Sequence, residues 1–160
     1  MNVVVSDTTP LNYLILIGEI SVLPLLFEKV FVPPAVIQEM KHPRAPVAVS
    51  LWASTLPAWV EIRAPRTELD RWIGKGENEA ISLALELPRA TLLVDDMKAK
   101  TEAESRGLVT LGTLAIMDLA DGAGLMDFES AVARLKATSF YLENSVLESM
   151  LTKVRARKSV

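Results

Sequence analysis

Short aliphatic runs without alternation recur along the chain, and each leads into a stretch carrying helix start and stop signals. Val3-Val4-Val5 is the first, and a run that is apolar at every position suits a strand buried on both faces. It ends in Ser6-Asp7-Thr8-Thr9-Pro10. Thr8 or Thr9 can cap a helix and Pro10 fits its first turn, so a helix is expected through Leu11 to Ile17, stopped by Gly18. Ser21 can cap a second short helix with Pro24 in its first turn, ending near Phe27. The small strand Val30-Phe31-Val32 then feeds a proline-opened helix from Pro33-Pro34 to about Met40.

Residues 45–56 read as a helix closed by Pro57, followed by a strand from Trp59 to Arg63. Gly74 and Gly76 bracket Lys75 and open an amphipathic helix from Glu77 to Leu87, which Pro88 ends. Thr91 to Val94 is another short buried strand; it terminates in Asp95-Asp96 and leads into a charged helix from Met97 to Arg106, with Gly107 as its stop. A strand from Leu108 to Leu111 and a helix through Met117 follow, and Gly122 and Gly124 separate these from two terminal helices near 127–138 and 143–156. Strand–helix alternation predicts an α/β fold: a central parallel sheet of four or five strands with helices on both faces.

At 160 residues, one domain with one sheet is expected, large enough to bury roughly two-thirds of the surface its unfolded chain exposes. Half of the residues are hydrophobic and 23% charged, which is globular composition. The longest apolar stretches, Leu11 to Ile17 and Val22 to Phe27, fall short of the ~20 residues that span a bilayer. Met1-Asn2-Val3 lacks the basic segment of a secretion signal, so a cytoplasmic location without membrane association is expected.

The chain has no cysteine and one histidine, His42. Disulfides, thiol nucleophiles, iron–sulfur clusters and the common zinc sites are thereby excluded. A metal here must be held by oxygen, which means Mg²⁺, Mn²⁺ or Ca²⁺. A net charge of −3 and a pI near 5.3 do not describe a broad basic surface for nucleic acid.

In open parallel sheets ligands bind beyond the carboxyl ends of the strands, and several acids fall on that side. Asp7 follows the first strand, Asp95 and Asp96 follow the strand 91–94, and Glu39 lies about two turns after the strand 30–32. At ~100° per residue, Ala80, Ile81, Leu83, Ala84, Leu85 and Leu87 form the apolar face of their helix, with Glu77 in its middle, while Asn78, Glu79, Ser82 and Glu86 form the opposite face. Glu77 therefore points inward and needs a partner, and Glu79 is expected in solvent. A divalent cation would cancel the mutual repulsion of such carboxylates and bridge them to an anionic substrate. Thr8 or Asn12 can hold a water or phosphate oxygen, and Lys98 is a candidate phosphate contact.

Taken singly, each acid also has a structural reading, as a helix cap or turn residue. His42 beside Pro43 reads as an exposed loop residue, and Trp52, Trp59 and Trp72 as packing rather than base-stacking platforms. Lys98, Lys100, Lys153, Arg155, Arg157 and Lys158 suit either phosphate contacts or a solvated helix and frayed tail.

These segments resemble PIN-domain proteins, in particular the branch of PIN-like, VapC-like toxins and nucleic-acid-binding proteins. VVSDTTPLNYL at 4–14 resembles the opening motif with its first metal-binding Asp, here Asp7 beside Thr8. VPPAVIQEM at 32–40 places the second acid at Glu39, GENEAISLALE at 76–86 the third at Glu77, and TLLVDDMKAK at 91–100 the fourth at Asp95 or Asp96, with Asp95 favoured because it directly follows the strand. The fourth element lacks the Thr-Arg/Asn-Asp ending of typical VapC-type toxins. The resemblance covers about residues 2–125 and leaves a helical extension at 126–160. It implies a three-layer α/β/α fold and a Mg²⁺- or Mn²⁺-dependent endoribonuclease in which Asp7, Glu39, Glu77 and Asp95 are catalytic metal ligands, with Asp96 as a further ligand. For toxin members it also implies RNA as substrate, a cognate antitoxin protein and a homodimer.

Other enzyme classes fit the residues less well. A haloacid-dehalogenase-type phosphatase needs a second Asp two residues after the first, and position 9 is Thr. A phosphoacceptor receiver domain wants its acidic pair at the first strand, whereas the pair here is at 95–96. The remaining alternative is a non-catalytic PIN-like module that binds RNA or protein.

Overall fold

The computed structural model describes residues 2–70 and 73–159; Trp72 lies outside them. β1 (Val3–Ser6), β2 (Lys29–Val32), β3 (Val60–Ile62), β4 (Thr91–Leu93) and β5 (Val109–Leu111) form one sheet in the order β3-β2-β1-β4-β5. Every neighbouring pair is parallel. The five-stranded sheet matches the expected class, with helices covering both faces.

Alternation along the strands divides the interior in two. Val4, Val30, Val32 and Leu93 point into one core, whereas Val5, Phe31, Leu92 and Val94 point into the other. Register explains the match: Val4 pairs with Val30, and Val5 pairs with both Phe31 and Leu92, so cross-strand neighbours share a face. The first core is closed by α1 (Thr8–Leu16), α2 (Leu23–Leu26), α3 (Pro34–Met40), α4 (Val47–Ser54), α7 (Thr113–Gly122), α8 (Phe128–Lys136) and α9 (Asn144–Lys158). The second is closed by α5 (Lys75–Glu86) and α6 (Met97–Ser105). This is the three-layer α/β/α arrangement.

From β1 the chain builds outward to β3, then returns to the other side of β1 and builds outward through β4 to β5. The boundary between β1 and β4 is thus the topological switch point, where helices leave the sheet in opposite directions and open a crevice. Asp7 sits on it, its backbone N–H donating to Leu93 O at 2.9 Å.

Helix starts differ from the sequence reading in an informative way. α1 begins at Thr8, with Asp7 in the capping position but its side chain making no cap bond; the Thr8 hydroxyl is spent on Glu39 instead. α5 begins at Lys75 with Gly74 as its cap. A short 3₁₀ turn, Ile20–Val22, replaces the Ser21-capped start, and α2 follows from Leu23 with Pro24 in its first turn. Gly18 and Gly107, at φ 76° and 87°, end α1 and α6 in the left-handed region that favours glycine.

The expected frayed basic tail is corrected. α9 is docked, because Asp118 and Asp121 of α7 are buried and require cations. Lys153 Nζ lies 2.7 Å and Arg157 Nη1 3.0 Å from Asp118, and Arg157 Nη2 lies 2.8 Å and Lys158 Nζ 3.0 Å from Asp121. Lys158 also pairs with Asp127, and Arg155 with Glu129. Burial pushes both α7 carboxyls up, but these cations outweigh it and hold them below the usual carboxylate range. Trp52 and Trp59 are partly buried against the core, 6.0 Å apart between ring centroids, and His42 is exposed. Among the described residues no single helix is long and apolar enough to cross a membrane.

Candidate active site

Asp7 occupies the centre of the crevice. It is 3% exposed, and its Oδ1 is buried with no hydrogen-bond partner among the described residues. Burial pushes its pKa up to about 8; Glu77, Glu39 and Asp95 add repulsion, and the Thr8 N–H opposes it. A buried carboxylate oxygen left bare calls for a proton or a cation.

Glu39 comes to Asp7 from α3. Its Oε2 accepts from the Thr8 hydroxyl and its Oε1 accepts from the Gly76 N–H at 3.1 Å. It thereby ties the start of α1 to the start of α5, bonding to the residues immediately after Asp7 and before Glu77. Glu77 lies in the first turn of α5, where helix N–H groups favour a carboxylate. Burial raises its pKa, its own N–H opposes this, and Glu39 and Asp96 add repulsion.

Asp95 enters from beyond β4. Its Oδ1 accepts from the Thr113 N–H at 2.9 Å and its Oδ2 from the Thr113 hydroxyl at 2.6 Å, at the first residue of α7. A Cβ on Gly112 would stand 2.9 Å from Oδ1, so the missing side chain there makes room for the carboxylate. Burial pushes Asp95 up against the lowering effects of Thr113 and Lys100. Asp96 is exposed and caps α6, its Oδ2 accepting from Ala99 N at 2.9 Å. The adjacent aspartates are engaged differently: Asp95 bonds Thr113 within electrostatic reach of Asp7, and Asp96 closes a helix.

Glu39, Glu77 and Asp95 thus lie within electrostatic reach of Asp7 at the switch point. Asn12 is half-buried one turn into α1, and Lys98 is exposed in the first turn of α6. Thr113 is the site residue that sequence reasoning missed. Its signal was a Gly-Thr pair opening a helix directly after a strand, the same strand-end hydroxyl pattern as Asp7-Thr8.

Glu79 corrects the helical-wheel reading. It is buried, not solvated: Oε1 accepts from Ala35 N at 3.0 Å at the start of α3, and Oε2 lies 3.2 Å from Lys75 Nζ. Burial would raise its pKa, but the Ala35 bond and Lys75 hold it below the usual value. Its companions on that face are engaged too. Asn78 bonds Leu69 through both N–H and C=O, Ser82 accepts from Leu69 N, and Glu86 accepts from Arg66 N. The polar face of α5 is a hydrogen-bonding platform for α3 and for the segment before the helix.

The donor set is oxygen alone, the hard-ligand chemistry that Mg²⁺, Mn²⁺ and Ca²⁺ take, and the orphaned Asp7 Oδ1 fits a cation. The carboxylates are not assembled around one. Among the described residues no group of three His, Cys, Asp or Glu is arranged to hold a metal ion, with Glu39 drawn onto Thr8 and Gly76 and Asp95 onto Thr113.

A family model described as DUF3368, a PIN domain, matches residues 3–156. No curated protein matches the chain. Among solved structures, a PilT N-terminus domain protein, SSO1118, from the hyperthermophilic archaeon Sulfolobus solfataricus P2 aligns with TM-score 0.46 and 14% identity, covering 89% of this chain and 100% of its own. PIN domains are typically nucleases that use divalent metal ions. With the match running through β1, all the acids above and most of α9, the chain belongs to the PIN-domain family.

Proposed function

We propose that the protein is a Mg²⁺- or Mn²⁺-dependent endoribonuclease that hydrolyses RNA phosphodiester bonds at the Asp7 crevice. The observation that carries this reading is the buried, unpartnered Asp7 Oδ1 with Glu39, Glu77 and Asp95 around it. Four carboxylates in one crevice repel one another, and a cation turns that repulsion into net attraction. When bound, a divalent ion supplies charge neutralisation at the scissile phosphate and leaving oxygen and lowers the pKa of water for attack.

The chain's own residues then have distinct tasks. Asp7, deprotonated, is the inner ligand, and its position is fixed by the sheet through Leu93 O. Glu39 and Glu77 close the side of α3 and α5, Asp95 the side of α7. Thr8 and Thr113 orient Glu39 and Asp95 by hydroxyl hydrogen bonds. Asn12 and Lys98 are the proposed contacts for a phosphate oxygen, on the sequence reading alone.

The sequence resemblance to VapC-like proteins supports a finer reading: the toxin of a toxin–antitoxin pair, acting in the cytoplasm as a homodimer and restrained by a cognate antitoxin. A second reading, a PIN-like module that binds RNA or protein without cutting it, is favoured by the carboxylates being turned onto Thr113 and Gly76. Both are tested by one assay. Purified protein is incubated with structured RNA, single-stranded RNA and single-stranded DNA in Mg²⁺ or Mn²⁺. RNA cleavage supports the nuclease, binding without cleavage supports the module, and growth arrest on expression that Asp7→Asn relieves supports the toxin.

A further inference from the structure

A groove of about 750 Å³ is lined in part by Asp95 and Asp96. The rest comes from α1, α6, α7 and the stretch from Ser139 to Met150, which includes the start of α9. We infer that this groove seats a base of single-stranded RNA flanking the scissile phosphate, with the Tyr141 ring as its stacking surface and Lys100 meeting the adjoining phosphate. The inference rests on the ribonuclease reading for the identity of the strand.

Several features converge on a nucleotide. The groove shares Asp95 with the candidate catalytic carboxylates, so a strand positioned at that acid can leave along it. Its wall combines apolar side chains with one cation, Lys100, and the acids Asp95, Asp96 and Glu143. Tyr141 is 84% and Met97 71% exposed, and both line the groove. Lys100 lies within electrostatic reach of Asp95, and its ammonium has no hydrogen-bond or ion-pair partner among the described residues. An aromatic face beside a free ammonium is the combination that tracks a single strand, the ring taking a base and the cation the backbone.

The display of Tyr141 is built rather than incidental. The preceding residue, Phe140, packs edge-on against Tyr13 of α1 with ring centroids 4.9 Å apart and planes at 74°. The Tyr13 hydroxyl bonds Ser139 at 2.8 Å, and Phe140 N donates to the Thr138 hydroxyl at 3.2 Å. Ser139 and Phe140 are thereby pinned to α1, leaving the next side chain exposed. Glu143, which also lines the groove, repels a phosphate and so favours Lys100 as the backbone contact.

The test measures affinity for a labelled mixed-sequence single-stranded RNA ten-mer by fluorescence anisotropy, in Ca²⁺, with the full chain. Tyr141→Ala is expected to weaken binding about tenfold and Tyr141→Phe to restore it within about twofold, because stacking needs the ring alone. Lys100→Gln is expected to weaken binding and lower the salt slope by about 0.7, one phosphate contact on a single strand. Unchanged affinity in both Tyr141→Ala and Lys100→Gln overturns the inference, as does a polypeptide partner lost with Tyr141→Ala while RNA affinity stays the same. Cleavage in Mn²⁺, run in parallel, separates the two claims. RNA cut with an unchanged KM in Tyr141→Ala removes the groove and keeps the nuclease; RNA bound through Tyr141 but not cut removes the nuclease and keeps the groove.

Discussion

Glu39 Oε1 accepts a hydrogen bond from the Gly76 N–H at 3.1 Å, and a Cβ on Gly76 would stand 2.5 Å from that same oxygen. The second acid of the site is thus held by a backbone group that only glycine leaves accessible. Gly76→Ala should leave stability within about 1 kcal/mol, since the clash falls on the movable end of a side chain and alanine favours a helix. It should nonetheless cost about tenfold in RNA cleavage by displacing Glu39. Thermal melts beside kcat/KM check this, and a large fall in Tm with cleavage retained would contradict it.

Asp7 makes stability without metal depend on pH in an unusual direction. Its pKa in the fold, about 8, stands above the ordinary 3.8. Its contribution is therefore fully present below about pH 3.8 and is lost as pH rises through about 8. In EDTA, Tm should fall across that window and Asp7→Asn should flatten the fall. Mn²⁺ should raise Tm most above pH 8, where the carboxylate is ionised. A wild-type profile that Asp7→Asn leaves unchanged would contradict the assignment.

Thr113 holds Asp95 with both its N–H and its hydroxyl. Thr113→Val removes one of these bonds, at about 0.5–1.5 kcal/mol of stability, and should reduce cleavage more than Thr113→Ser does. Equal activity in the two variants would show that Asp95 needs no such support.

At the other end of α7, Arg157 bonds both Asp118 and Asp121. Arg157→Ala leaves Asp118 with Lys153 and Asp121 with Lys158 as remaining cations and should lower the urea midpoint. Both carboxyls are held low by their cations, so their contribution is present above the ordinary 3.8 and is lost as pH falls through the depressed values. The variant should therefore differ least from wild type in acid.

The strands and the acids that follow them were legible because an apolar run with no alternation admits one placement, the middle of a parallel sheet, and fixes what lies at its carboxyl end. Asp7 and Asp95 were placed beyond the ends of β1 and β4 that way. Glu79 was misread because a helical wheel treats the polar face as solvent, whereas α5 meets α3 and the backbone at Arg66–Leu69 on that face. Satisfying backbone groups elsewhere needs polar side chains, and local periodicity does not carry that demand. The C-terminal cations were ambiguous for the same reason: their partners in α7 are 35 to 39 residues distant in sequence.

The central claim meets its most direct test in cleavage of a single-stranded RNA panel by wild type and Asp7→Asn, each with Mn²⁺, Mg²⁺ or EDTA. Wild type should cut RNA with either ion, lose the activity in EDTA and regain it on adding the ion back, while Asp7→Asn, folded as judged by its melt, should be at least a hundredfold slower. Cleavage that persists in EDTA and in Asp7→Asn would contradict a carboxylate-bound metal centre.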